Sequence, residues 1–170
     1  MHDAAHQRPQ VFQIVTTARL ANRAFGRVRL EFITPAATPK RPTVEVNTAT
    51  GTIKVSTPEA TVLDLVADPT HGGGLSNIAT VIADLLKDNK IGIDQLVNIV
   101  EEYPLSVAQR TGWMIEHAAH EIGKEIDLEP LAAIAKRRAE RTLLSPSAPR
   151  RGNTDRRWGV VVNTELESDR

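Results

Sequence analysis

The chain contains no cysteine. That excludes a disulfide framework, a zinc–thiolate centre and a cysteine nucleophile, and it fits a reducing, cytoplasmic setting. Aromatic residues make up only 4%, so a platform on which successive unstacked bases lie against rings is not expected. No apolar run approaches the roughly 18–20 residues that cross a bilayer, and Met1-His2-Asp3 does not open a secretory signal, so no membrane contact is expected. Net charge is lacking as well: 21 Lys and Arg balance 21 Asp and Glu over 170 residues. There are no internal repeats.

The zero total hides a segregated layout. Residues 1–56 carry eight Lys/Arg and three acids, residues 57–129 four and thirteen, and residues 130–170 nine and five. The order is basic, acidic, basic. Either the flanks compensate the acidic middle, or they form a basic face for nucleic acid.

The pattern along the chain predicts an α+β fold, with a small antiparallel sheet, a bundle of about five helices and a C-terminal strand returning to the sheet. Residues 11–17, 28–34, 43–47 and 52–56 are β-branched or alternating runs, and in Val28-Arg29-Leu30-Glu31-Phe32-Ile33 one face is expected buried and one wet. Thr48-Ala49-Thr50-Gly51 reads as a hairpin turn with Gly51 at positive φ. The three prolines of residues 35–42 mark a loop. Residues 57–142 read as helical. A first helix opens at Ser56-Thr57-Pro58-Glu59, with either Ser56 or Thr57 as N-cap and Glu59 at capping-box spacing from Ser56. Ile78, Val81, Ile82, Leu85 and Leu86 give a second, and Ile93, Leu96, Val97 and Val100 a third. Leu105, Ala108, Gly112, Ile115, Ala119 and Ile122 form a small-residue stripe on a fourth helix, close enough for another helix to approach. Leu128, Leu131, Ala132, Ala135 and Ala139 give a fifth. Residues 143–157 read as a basic connector and 158–163 as a last strand. Because a lone strand is unstable, it is expected to return to the N-terminal sheet, or to pair with another subunit. The expected organisation is a β subdomain of residues 1–56, the helical subdomain, the connector and that strand, together forming one compact domain.

Little in the chain points to chemistry. His117 and His120 lie three apart on one helix face and could share a metal, but the spacing is not that of H-E-x-x-H proteases, and an exposed polar face explains them more simply. Thr70-His71-Gly72-Gly73-Gly74-Leu75-Ser76 precedes a helix that Ser76 could cap. Such loops can cradle phosphate, but no P-loop string is present, and a flexible link is the simpler account. Asp64, Asp68, Asp84 and Asp88 read as solvated helix faces. Trp113 and Trp158 read as core or edge-of-core residues. The chain is read as a non-enzyme, with no catalytic, cofactor-binding or metal residue and no cofactor.

The candidate contact residues are eight cations in residues 136–157: Lys136, Arg137, Arg138, Arg141, Arg150, Arg151, Arg156 and Arg157, set against Glu140 and Asp155. Lys136, Arg137 and Arg138 sit at a helix end, where cations favour the dipole. The rest could neutralise phosphates or pair with acidic neighbours. Six engaged cations would give a salt slope of about −5. Arg19, Arg23, Arg27 and Arg29 could extend a basic face.

Three motifs and the opening segment carry a resemblance. Residues 56–66, "STPEATVLDLV", resemble a helix-opening signature in the C-terminal domain of AbiE-type antitoxins, the regulators of type IV toxin–antitoxin systems. Gln109-Arg110-Thr111-Gly112-Trp113-Met114-Ile115-Glu116 is similar to a helix of that family, and Arg157-Trp158-Gly159-Val160-Val161-Val162-Asn163, followed by Glu165-Leu166-Glu167 and Asp169, to its closing strand. Residues 6–15 resemble the segment after the family's helical N-terminal part. The resemblance implies an antitoxin effector domain that counters a nucleotidyltransferase-like toxin without a stable complex. It also implies a regulator, since family members usually begin with a winged helix-turn-helix that represses their own operon. That DNA-binding part is expected to be lacking here. Positive patches on the family's C-terminal domain are thought to matter for neutralisation. A stand-alone nucleic-acid-binding or oligomerisation module is the alternative.

Overall fold

The structure is a computed structural model and describes residues 10–34 and 41–167. The chain divides into two units, Met1–Pro39 and Lys40–Arg170. The division falls after Pro39 rather than after Ser56, so the hairpin expected within a β subdomain of residues 1–56 goes with the helices. His2, His6 and most of the proline loop lie outside the described residues.

The first unit holds β1 (Gln10–Val15), β2 (Arg23–Phe25) and β3 (Val28–Ile33) in the order β1-β3-β2. β2 and β3 are antiparallel and join through Gly26, whose φ of 57° suits a residue without Cβ. β1 runs parallel to β3, pairing Phe12 with Leu30 and Ile14 with Phe32. The sheet is therefore mixed, not antiparallel as expected. The predicted alternation in β3 is visible only in part: Val28, Leu30 and Phe32 are half-buried and Arg29 exposed, but Glu31 is half-buried too.

The second unit opens with the antiparallel pair β4 (Thr43–Thr48) and β5 (Gly51–Ser56). Gly51 takes the expected positive φ, 137°. Helix α1 (Pro58–Ala67) is capped by Thr57, whose hydroxyl accepts from the Ala60 N–H at 3.3 Å, with Pro58 in the first turn. Of the two candidate caps, Thr57 is the one used. Glu59 closes no capping box; it is buried and accepts from the Gly92 N–H at 2.9 Å, tying α1 to the start of the third helix.

After α1 a 3₁₀ turn (Pro69–Gly72) leads through left-handed Gly73 to Gly74, the N-cap of α2 (Leu75–Lys87). Asn77 donates to the Gly72 carbonyl at 2.6 Å. The glycine stretch is thus a built turn. Ser76 is not the cap; it lies inside α2, and its hydroxyl accepts from the Glu167 N–H at 3.0 Å. Then come α3 (Ile93–Val100), α4 (Leu105–Glu121) and α5 (Glu129–Ala135). Helix α5 stops at Ala135 and does not reach Ala139. The five helices are those the periodicity predicts, and their apolar stripes meet in one core around Leu63, Ile78, Ile82, Leu96, Met114, Ile115 and Leu131.

The C-terminal strand does not return to the N-terminal sheet. Strand β8 (Val160–Val162) sits between β6 (Thr142–Leu143) and β7 (Asn153–Asp155), parallel to β6 and antiparallel to β7. Both partners come from the stretch read as the end of the helical subdomain and a connector, so that stretch is built into a third sheet. Leu144, Trp158 and Val160 join the helical core. The α+β class holds, with a C-terminal strand and sheets smaller and more separate than expected. Among the described residues no helix is long and apolar enough to cross a membrane.

Candidate functional site

Helix α4 carries the C-terminal segment on one face. Gln109 is buried; its Nε2 donates to the Glu140 carbonyl at 3.2 Å and its Oε1 accepts from the Thr142 hydroxyl. One residue on, Arg110 Nε donates to the Leu143 carbonyl at 2.8 Å. Gly112 is buried beneath the Trp158 ring, which a Cβ at that position would overlap. The small-residue stripe therefore admits an indole rather than another helix at this point. Glu116 accepts from Trp158 Nε1 at 2.6 Å and also from Arg157. Asp155 accepts from the Trp158 N–H at 3.0 Å and fixes the turn before β8. The second and third resemblance motifs thus dock on each other.

The eight candidate cations separate into two groups. Arg157 lies inside this docking: it pairs with Glu116, reaches Glu129 at 2.7 Å and stands over the Trp158 ring at 5.3 Å. Arg137 pairs with Glu101 at 2.5 Å, and Arg138 with Glu140 at 3.7 Å. Lys136, Arg141, Arg150, Arg151 and Arg156 are exposed and have no ion pair or side-chain hydrogen bond among the described residues. The sheet register splits this second group. Thr142 and Asp155 both pair with Val160, so Arg141 and Arg156 flank one end of the sheet. Arg150 and Arg151 precede Asn153, which pairs with Val162 at the other end. One strand of three residues, about 10 Å, separates the two ends. In the first unit, Arg19, Arg23 and Arg29 are exposed.

The other sequence candidates take structural places. His117 stacks on Trp113 with ring centres 5.1 Å apart, and among the described residues no three His, Cys, Asp or Glu gather as a metal-ligating group. Asp84 and Asp88 pair with Lys87 and Lys90. Asp68 caps the 3₁₀ turn; chiefly the Thr70 hydroxyl bond holds its pKa below the usual carboxylate value. Asp64 is not a solvated acid: it accepts from Arg41 Nε at 2.6 Å and from the Tyr103 hydroxyl at 2.8 Å. Burial first, and then the Asp64 bond, pushes the Tyr103 phenol well above its ordinary value. A groove of about 170 Å³ runs between α2 and α4, lined by Ala79, Ala83, Ala118 and His117 and bordered by Leu166. Arg110, which anchors the chain entering β6, is not among the eight candidate cations. The available signal was that it is the one arginine among residues 57–129.

A family model described as the AbiEi antitoxin C-terminal domain matches residues 1–117. No curated protein matches. Among solved structures, the chain is similar to the crystal structure of the RV2827C protein from Mycobacterium tuberculosis, at 16% identity and a TM-score of 0.46, over 61% of this chain and 34% of that one. The chain thus spans about a third of the length of that structure.

Proposed function

The chain belongs to the AbiEi antitoxin C-terminal domain family, and on that premise we propose that it is the antitoxin effector domain of a type IV toxin–antitoxin system, acting in the cytoplasm. It counters a nucleotidyltransferase-like toxin without a stable complex and performs no chemistry of its own. In a longer relative the same domain would follow a winged helix-turn-helix, and its link to transcription would run through that part. The observation that carries this reading is the family match over residues 1–117 of 170. The docking of α4 on the C-terminal segment supports it, because it makes residues 41–167 a continuous folded unit whose polar surface is available to a partner. Growth rescue on co-expression with the toxin tests the antitoxin role. Size-exclusion of the mixed proteins tests the mechanism: separate elution is expected, and co-elution would contradict the absence of a stable complex.

A second reading has one specific observation in its favour. Lys136, Arg141, Arg150, Arg151 and Arg156 are exposed cations without partners among the described residues, and phosphates of nucleic acid would neutralise them. With all five engaged, the salt slope is about −4.5.

A further inference from the structure

The groove between α2 and α4 has three walls from three parts of the second unit. Its floor is made of methyl groups, with Ala79 and Ala83 on α2 and Ala118 on α4. The third wall is the C-terminal segment. The Glu167 N–H donates to the Ser76 hydroxyl at 3.0 Å, which ties that segment to the start of α2, and Leu166 lies along the groove beside it.

The rim is charged and of one dominant sign. Asp84 on α2, Glu121 on α4 and Glu167 on the C-terminal segment all line this one groove, where Lys87 is the one ammonium among the described residues. The three carboxylates belong to separate elements, so the fold and not a local run of acids gathers them. Lys87 reaches Asp84 at 3.5 Å, and both side chains are more than half exposed, so that pair contributes little. The excess of negative charge is carried by Glu121 and Glu167, which are themselves exposed.

Size and charge together select the occupant. At about 170 Å³ the groove falls short of the roughly 300–1,000 Å³ that enclose a small organic ligand. Its acidic rim repels phosphates, which excludes a nucleotide or a nucleic acid. A single side chain with an apolar stem and a cationic tip matches both features: the stem lies on methyl groups while the charge stays at the wet rim. Lysine has that shape, a compact ammonium on a four-carbon stem.

We propose that the groove between α2 and α4 docks a lysine side chain presented by a basic segment of a partner protein. Its stem covers Ala79, Ala83 and Ala118, and its ammonium meets the carboxylates of Glu121 and Glu167. The site does not rest on the antitoxin reading. It is also opposite in sign to anything the exposed arginines of the C-terminal sheet would bind.

The test is an NMR titration of the full chain with a blocked pentapeptide, one lysine flanked by two alanines on each side, and with the same peptide carrying norleucine in place of lysine. The lysine peptide should give saturable shifts of the Ala79, Ala83 and Ala118 amides, and the norleucine peptide should bind at least tenfold more weakly. Replacing Glu121 and Glu167 together by Gln, at exposed positions, should weaken the lysine peptide at least fivefold with an unchanged thermal midpoint. Lys87→Gln should strengthen it several-fold, because it removes the competing ammonium from Asp84. A merely structural role for these side chains predicts no such gain. Absence of shifts at the three alanines, equal binding of the two peptides, or an affinity unmoved by the double substitution overturns the proposal. Weaker binding to Lys87→Gln overturns it as well.

Discussion

Tyr103 is the single tyrosine of the chain, which makes its environment measurable by itself. Its hydroxyl donates to Asp64, which also accepts from Arg41. Burial and then Asp64 raise the phenol's pKa, and Arg41 opposes them. A folded-state pKa above the unfolded value means that the associated stability is fully present below about pH 10 and is lost as pH rises beyond it. The native chain should therefore show no phenolate absorbance at about pH 11, whereas the chain in denaturant should ionise near pH 10. A native phenol titrating near 10 would contradict the buried Tyr103–Asp64 contact. Tyr103→Phe should cost about 1–2 kcal/mol in urea unfolding, since it removes a hydrogen bond to a charged group while Arg41 remains on Asp64.

Among the elements, the union of α4 with the C-terminal segment has the sharpest consequences. Gly112→Ala places a methyl group where the Trp158 ring lies and should destabilise by about 1–3 kcal/mol. Trp158→Ala, which empties a buried site, should cost about 3–5 kcal/mol. Urea midpoints unchanged by either substitution would refute this packing. Removing residues 155–170 takes Trp158 with it, so the expected outcome is an unfolded chain rather than the monomer that a free pairing strand would leave. The helices were legible because each repeats its apolar residues at helical spacing, and the Thr57 cap and Gly51 turn were legible because their chemistry is local. Strands β6 and β7 were not. Two and three residues are too few to display alternation, and Thr142 is placed by Gln109, 33 residues earlier. The parallel pairing of β1 with β3 is likewise a nonlocal choice. Asp64 looked solvated because Arg41 and Tyr103 lie 23 and 39 residues away. Arg157 looked free because Glu116 is 41 residues away.

At the scale of the whole molecule, the segregated charge is partly compensated in the fold. Arg41, Arg137 and Arg157, all from the basic flanks, pair with Asp64, Glu101 and with Glu116 and Glu129 in the acidic middle. The flanking cations that remain exposed define what a polyanion could reach. If they bind nucleic acid, replacing Arg141, Arg150, Arg151 and Arg156 with Ala should abolish retention on DNA or RNA while leaving thermal stability unchanged, and undiminished retention would remove that reading. Arg157 is left out of this set because its loss would disturb Trp158. The central claim concerns the antitoxin role, and growth measures it most directly. The full chain is co-expressed with an AbiE-type nucleotidyltransferase-like toxin encoded beside it, in cells that the toxin alone arrests. The account predicts restored growth, with toxin levels unchanged. Continued arrest in the presence of folded, abundant chain would contradict it.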